Sequence, residues 1–299
     1  MGTPIRSSLE VLMGLLPKRI SDAMEAVADI AGAEEIRLRV GRAPQVVFSD
    51  RDAIVEAAPF TSKEAKELTD RLCRHSVYAH EEELKQGFIA YTGGVRVGVV
   101  GRPVIADGRI MGMTEPSCFC LRVSREAVGC AEELMRFLTE NGRPVSALIA
   151  APPGGGKTTL LRDAARCFSC GIGAAPVKVA VADERGELAG CIDGAPAFLL
   201  GPRTDVMELA PKAEAIRIFI RTMSPELIIT DEIGGKADAE ALAEASRCGA
   251  AVIATAHAAD AEDLVSREAL KPVLGSGVFK RILLLSRRGN LLRINPVKL

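Results

Sequence analysis

The chain has 299 residues, a formal net charge of −1, 48% hydrophobic and 26% charged residues. That apolar content can fill a sizeable core, at a length where single cores give way to two domains. A net charge this close to zero argues against bulk nucleic-acid binding, and no apolar run approaches the ~20 residues of a membrane span.

Residues 1–140 read as an α+β domain. Met1 to Leu16 carries Arg6, Glu10 and scattered polar residues, the pattern of an amphipathic helix rather than a secretion signal. The expectation is therefore a cytoplasmic chain, with any membrane association peripheral. Leu9 to Ile30 has helical period with a break at Pro17. Glu34 to Val40 alternates as a half-exposed strand, and Gly41-Arg42-Ala43-Pro44 turns into a second strand near Gln45 to Phe48. Ser62 to His75 predicts a helix capped by Thr61 or Ser62, and a shorter helix from Ala79 stops at Gly87. Phe88 to Val100 predicts a hairpin about Gly93-Gly94, Asp107-Gly108 a turn, and Cys118 to Ser124 a strand. A helix at Cys130 to Thr139 precedes Asn141-Gly142-Arg143-Pro144, a breaker cluster expected to be the linker.

Residues 141–299 alternate strand and helix. Strands are predicted at Ala147 to Ala151, Val177 to Ala182, Pro225 to Asp231 and Ala250 to Ala256, with helices after the first, at Ala210 to Met223 and at Ala237 to Cys248. Alternation of this kind implies a parallel-rich sheet covered on both faces. Arg281 to Arg287 and Leu291 to Val297 read as an edge hairpin around Gly289-Asn290.

The first of these strands leads into Pro152-Pro153-Gly154-Gly155-Gly156-Lys157-Thr158-Thr159. Strand, glycine loop and helix opening on Lys-Thr form a P-loop, whose backbone N–H groups cradle phosphates at a helix N-terminus. Ala151 stands where the strict pattern has glycine. Pro153 to Thr159 would line the nucleotide, with Lys157 on the β- and γ-phosphates of ATP and the Thr158 hydroxyl on Mg2+. Pro225-Glu226-Leu227-Ile228-Ile229-Thr230-Asp231-Glu232 is an apolar run ending in two carboxylates, as a buried parallel strand reads. Asp231 would hold Mg2+, and Glu232 would orient or deprotonate the attacking water. Two further constellations fall at strand ends: Asp183-Glu184 and Thr255-Ala256-His257. The residues leave open whether Glu232 or one of Asp183 and Glu184 is the general base. Arg203, ahead of the Ala210 helix, and Arg96, Arg102 and Arg122 on N-domain strands are candidates for charge stabilisation at the phosphates.

Eight cysteines without a signal sequence read as reduced thiols, and the unrepeated Cys167/Cys170 spacing favours buried small residues over a zinc site.

Tyr78-Ala79-His80-Glu81-Glu82-Glu83-Leu84-Lys85-Gln86-Gly87, Gly93-Gly94-Val95-Arg96-Val97-Gly98, Gly201-Pro202-Arg203-Thr204-Asp205-Val206 and Met223-Ser224-Pro225 leading to Asp231-Glu232-Ile233-Gly234 carry a resemblance. With these stretches the chain resembles the stage III sporulation AA family, mother-cell ATPases related to type II and type IV secretion ATPases. The resemblance spans nearly the whole chain. It implies a RecA-like motor domain behind a PAS-like N-terminal domain. It also implies a homo-oligomeric ring, usually a hexamer, acting at the membrane-embedded channel between mother cell and forespore. By the same resemblance Asp183-Glu184 looks like the acidic box and Thr255-Ala256-His257 like the histidine box, and N-domain arginines reach the nucleotide. Among those here, Arg122, which alternation puts on one face with Cys120, is the first candidate and Arg96 the next. A RecA-like nucleic-acid translocase is the alternative. It calls for a basic stripe with aromatic platforms, and this chain has 4% aromatics and no Trp. A nucleotide-gated regulatory module with negligible turnover is disfavoured by Glu232.

Overall fold

The computed structural model describes residues 8–74, 76, 80–106, 108–124, 126–288 and 291–297. It divides into two compact units, Met1–Arg125 and Glu126–Leu299.

The first unit opens with two short helices, α1 (Ser8–Leu15) and α2 (Lys18–Glu25), separated at Pro17. Strands β1 (Glu35–Arg39), β2 (Gln45–Val47) and β3 (Asp52–Ile54) follow. Helix α3 (Ser62–Leu72) starts on a capping box, in which the Thr61 hydroxyl accepts from the Glu64 N–H and the Glu64 carboxylate accepts from the Thr61 N–H. Helix α4 (Glu81–Lys85) and strands β4 (Phe88–Tyr91), β5 (Val95–Ala106) and β6 (Arg109–Arg122) complete the unit. The expected helix start at Ala79 and the turn residue Asp107 lie outside the described residues.

The six strands form one antiparallel sheet in the order β3-β2-β1-β6-β5-β4. Alternation decides its faces. Ile36 and Leu38 of β1 stand opposite Leu121 and Phe119 of β6, and all four are buried. Leu12, Ile20, Met24, Leu68 and Leu72 from the helices join them in one core. The β5–β6 ribbon runs well past the predicted hairpin and strand. Residues 101–117 carry Pro103, Gly112 and Pro116 and leave Val104, Ile105, Ile110 and Met111 exposed. Neither alternation nor an apolar run marks that stretch as a strand.

The second unit begins with a short 3-10 turn and α5 (Met135–Leu138), whose Leu134, Met135 and Leu138 are buried in this unit's core. The segment expected to be a linker is instead a small hairpin of β7 (Thr139–Glu140) and β8 (Arg143–Pro144), turned by Asn141 and Gly142 at φ 52° and 75°. Then come β9 (Ala147–Ala151), α6 (Lys157–Cys170), β10 (Val179–Asp183), β11 (Thr204–Glu208), α7 (Lys212–Thr222), β12 (Leu227–Thr230) and α8 (Lys236–Arg247). Strand β13 (Ala251–His257), the short helices α9 (Ala261–Ser266) and α10 (Lys271–Gly275), and β14 (Arg281–Arg288) with β15 (Leu291–Val297) close the unit.

These strands form a sheet in the order β11-β10-β12-β13-β9-β14-β15, parallel except for the β14–β15 pair. Every residue of β9, β10 and β12 is buried, as a sheet covered on both faces requires. Two apolar clusters do the covering: α6 packs one face through Leu161, Ala164 and Phe168, and α7 with α8 packs the other through Ile216, Phe219 and Leu242. The cysteines at the end of α6 divide between environments, Cys167 buried and Cys170 exposed. Strand β11 is the element the sequence conceals, because Thr-Asp-Val-Met-Glu is a half-exposed edge with no apolar run.

Candidate active site

The parallel order brings four strand ends to one edge of the sheet. Strand β13 lies between β9 and β12, so His257 pairs in register with Ala151, and β12 lies beside β10, so Thr230 pairs with Ala182. The P-loop, Asp231-Glu232, Asp183-Glu184 and His257 therefore converge at the carboxyl ends of the strands, the ligand edge of open α/β sheets.

The loop from Pro152 to Gly156 has a cradle's backbone. Gly154 and Gly156 sit at φ 72° and 80°, which a side chain would strain. A Cβ on Gly155 would lie 2.8 Å from the Ala151 Cβ and 2.9 Å from the Pro152 oxygen. Gly156 caps α6, so the positive helix end faces the loop. Lys157 is buried, and its ammonium donates to the carbonyl oxygens of Ala151 (2.9 Å) and Pro152 (3.0 Å) and to Nδ1 of His257 (3.0 Å). Burial lowers its pKa, and Glu232 opposes that shift.

Asp231 tests the fit to a cation. It is 1% exposed, and neither carboxylate oxygen has a hydrogen-bond partner among the described residues. Burial, then the neighbouring Asp183, pushes its pKa up to about 7, against the pull of Lys212. An orphaned buried carboxylate is costly unless a cation completes it. Among the described residues no group of three His, Cys, Asp or Glu side chains could hold a metal ion unaided. A donor set of Asp231 and the Thr158 hydroxyl, finished by phosphate oxygens and water, suits Mg2+.

Glu232 is held from every side. Its φ is 38°, a strained value for a side-chain-bearing residue. The Thr255 hydroxyl accepts its N–H (2.9 Å), and buried Lys212 donates to its carbonyl oxygen (2.9 Å) and to that of Asp231 (3.0 Å). Its carboxylate receives Nε2 of His257 on Oε1 (2.8 Å) and ion-pairs through Oε2 with Nη1 of Arg185. Burial alone would raise the Glu232 pKa. Arg185, then His257 and Lys157, outweigh burial and hold it below the usual carboxylate range.

The two residues of the acidic box part company. Asp183 is fully buried, and its carboxylate accepts the N–H groups of Glu187 (2.9 Å), Leu188 (2.9 Å) and Ala189 (2.8 Å), closing the loop after β10. Burial raises its pKa despite those three donors. Glu184 is exposed and ion-pairs with Lys212 at 3.0 Å. Lys212 thus ties the acidic box to Asp231-Glu232. Nothing in the sequence marked Lys212 or Arg185 beyond their places, one after Pro211 and one inside Asp183-Glu184-Arg185-Gly186. The Arg203 guanidinium donates to the Ser169 carbonyl oxygen (2.8 Å), at the far end of α6 from Lys157 in the same chain. Arg96 and Arg122 face each other across β5 and β6 of the first unit, Arg96 over the Phe88 ring at 3.9 Å and Arg122 at 3.7 Å from Glu35. Arg102 ion-pairs with Glu115 in the exposed ribbon.

Among solved structures, the fold is similar to the ATPase DotB of Yersinia pseudotuberculosis (TM-score 0.59, 16% identity, 94% of this chain and 79% of that one). It is also similar to the pilus retraction motor PilT with bound ADP (TM-score 0.58, 15% identity, 98% and 83%). At such identities the likeness establishes the secretion-ATPase fold alone. In sequence, the chain is 39% identical over 276 residues to stage III sporulation protein AA of Bacillus subtilis (strain 168), covering 91% of this chain and 89% of that protein. The family model described as sporulation stage III, protein AA, matches residues 8–297. With one match running nearly the length of the chain and a relative this close, the protein belongs to the stage III sporulation protein AA family.

Proposed function

We propose that the chain is an ATP-hydrolysing motor of the secretion-ATPase type. We read it as a homo-oligomeric ring, a hexamer, in the mother-cell cytoplasm, powering assembly of or transport through the mother cell–forespore channel by peripheral contact with its membrane-embedded proteins. The observation that carries the chemistry is the orphaned Asp231 carboxylate beside the P-loop and Glu232. The homologue's name supports the sporulation role, and the DotB and PilT folds support the motor. The antiparallel sheet and helices of the first unit support a PAS-like reading of that unit. No helix among the described residues is long and apolar enough to cross a membrane, which fits peripheral contact.

Each residue then has a task. Pro153 to Thr159 wrap the phosphates. Lys157 leaves its carbonyl oxygens and His257 to pair with the β- and γ-phosphates. Thr158 and Asp231 would hold Mg2+, which when bound neutralises phosphate oxygens as a Lewis acid. Glu232 takes a proton from the attacking water on a carboxylate oxygen as the water oxygen bonds to the γ-phosphorus and the bond to the bridging oxygen breaks. His257 keeps Glu232 in place. Asp183 holds the acidic loop, and Glu184 engages Lys212.

Glu232→Gln tests the reading. The amide keeps the shape and loses the base, so ATP binds, hydrolysis falls by two orders of magnitude or more, and the nucleotide-bound oligomer persists in sedimentation. Normal turnover in Glu232→Gln, with Asp183→Asn or Glu184→Gln dead, moves the base to the acidic box. Parallel assays with single-stranded and duplex DNA separate this motor from a nucleic-acid translocase, which DNA would stimulate.

A further inference from the structure

We infer that Arg185 is a positioning residue for hydrolysis, fixing the Glu232 carboxylate toward the attacking water. The inference rests on the reading of Glu232 as the general base. A glutamate side chain has free torsions between its backbone and its carboxylate. The bonds from Thr255 and Lys212 pin the Glu232 peptide, and they leave the carboxylate to its own contacts. Among the described residues those contacts are His257 on Oε1 and Arg185 on Oε2.

The two contacts are unequal. His257 also receives the Lys157 ammonium on Nδ1, a partner it gives up in the proposed reading when Lys157 engages phosphate. The Arg185 side chain is 43% exposed, but its backbone is held without any bond to Lys157 among the described residues. It sits in the loop that Asp183 closes by accepting from Glu187, Leu188 and Ala189, a loop that grows from β10, the neighbour of β12. A carboxylate offers roughly four lone-pair sites. With one taken by each partner, about two stay open to water in a fixed orientation. Arg185 acts through Glu232 rather than on the phosphates.

Steady-state kinetics of Arg185→Ala, Arg185→Lys, Glu232→Gln and Arg185→Ala/Glu232→Gln test the assignment. We expect Arg185→Ala to lower kcat about ten- to a hundred-fold, with KM for ATP within about two-fold. Arg185→Lys should recover part of the loss, since an ammonium still pairs with the carboxylate. In the Glu232→Gln background, adding Arg185→Ala should cost nothing further, because both changes remove one function. Arg185→Gln, read in the same assays, stands in if Arg185→Ala does not fold. Wild-type kcat in Arg185→Ala, a loss confined to KM, or losses that multiply in the double variant would each overturn the assignment while leaving the ATPase reading intact. Wild-type hydrolysis by Glu232→Gln would overturn that reading and the positioning role together.

Discussion

Nζ of Lys157 and Nδ1 of His257 stand 3.0 Å apart, a hundred positions separated in the chain. An ammonium has no lone pair, so Nδ1 accepts and the imidazole proton is on Nε2, directed at Oε1 of Glu232 2.8 Å away. One ring thus touches both the candidate phosphate-binding cation and the candidate base. His257→Ala should release both, lowering kcat about ten-fold or more and leaving ATP affinity close to wild type. Calorimetric titration with ATP beside turnover checks it, and unchanged kcat would remove His257 from the site's working parts.

Lys157→Ala removes the ammonium that would balance phosphate charge. Hydrolysis should fall to background. The fold should persist, since the ammonium bonds only to two loop carbonyl oxygens and the His257 ring among the described residues. Circular dichroism melting establishes the fold and phosphate release the activity. A folded Lys157→Ala that hydrolyses ATP at the wild-type rate would refute the P-loop assignment.

Asp231 links the site to stability. Its pKa of about 7 in the folded chain stands above the ordinary carboxylate value. Between roughly pH 4 and pH 7 the folded state therefore holds a proton that the unfolded state has released. Stability from this group is present below that window and lost as pH rises through 7, a cost of order 4 kcal/mol in the nucleotide-free protein. Asp231→Asn should remove the cost. Its Tm without nucleotide should exceed wild type at pH 8, with the gap closing toward pH 5, while Mg-dependent ATP binding and turnover fall. A gap that widens on acidification would contradict the sign.

Much of the site was legible because its parts are local. Leu227 to Thr230 is an apolar run that stops at Asp231, and Gly154 to Thr158 spells out a loop and a helix start. Asp183 was legible as a strand-end acid, but not as the clasp of its loop, because its partners are backbone N–H groups without a side-chain signature. Arg185 and Lys212 meet Glu232 only because β10 pairs with β12 and α7 returns alongside, a relationship of strand order that local pattern does not encode. The same limit hid β11 and the 101–117 ribbon. Strands that bury neither face carry no alternation, and proline and glycine read there as breaks.

Arg122 and Arg96 give the last prediction. On β6 the buried positions are Phe119 and Leu121, so Arg122 shares the opposite face with Cys120, in register with Glu35 on one side and Arg96 on the other. Its side chain is 65% exposed and its ion pair with Glu35 is long at 3.7 Å, a contact that adds little stability in solvent. Arg122→Ala should therefore fold and melt like wild type, which makes turnover the informative readout. If this face meets the nucleotide cleft in the assembled ring, Arg122→Ala lowers turnover by one or more orders of magnitude. ATP affinity changes much less, because such an arginine acts on charge that develops in the transition state. Arg96, stacked on Phe88, comes second. Both alanine variants are to be assayed at a protein concentration that sustains the ring, with sedimentation run in parallel. Unchanged turnover in both would confine the chemistry to the second unit and leave these arginines a structural or partner-binding role.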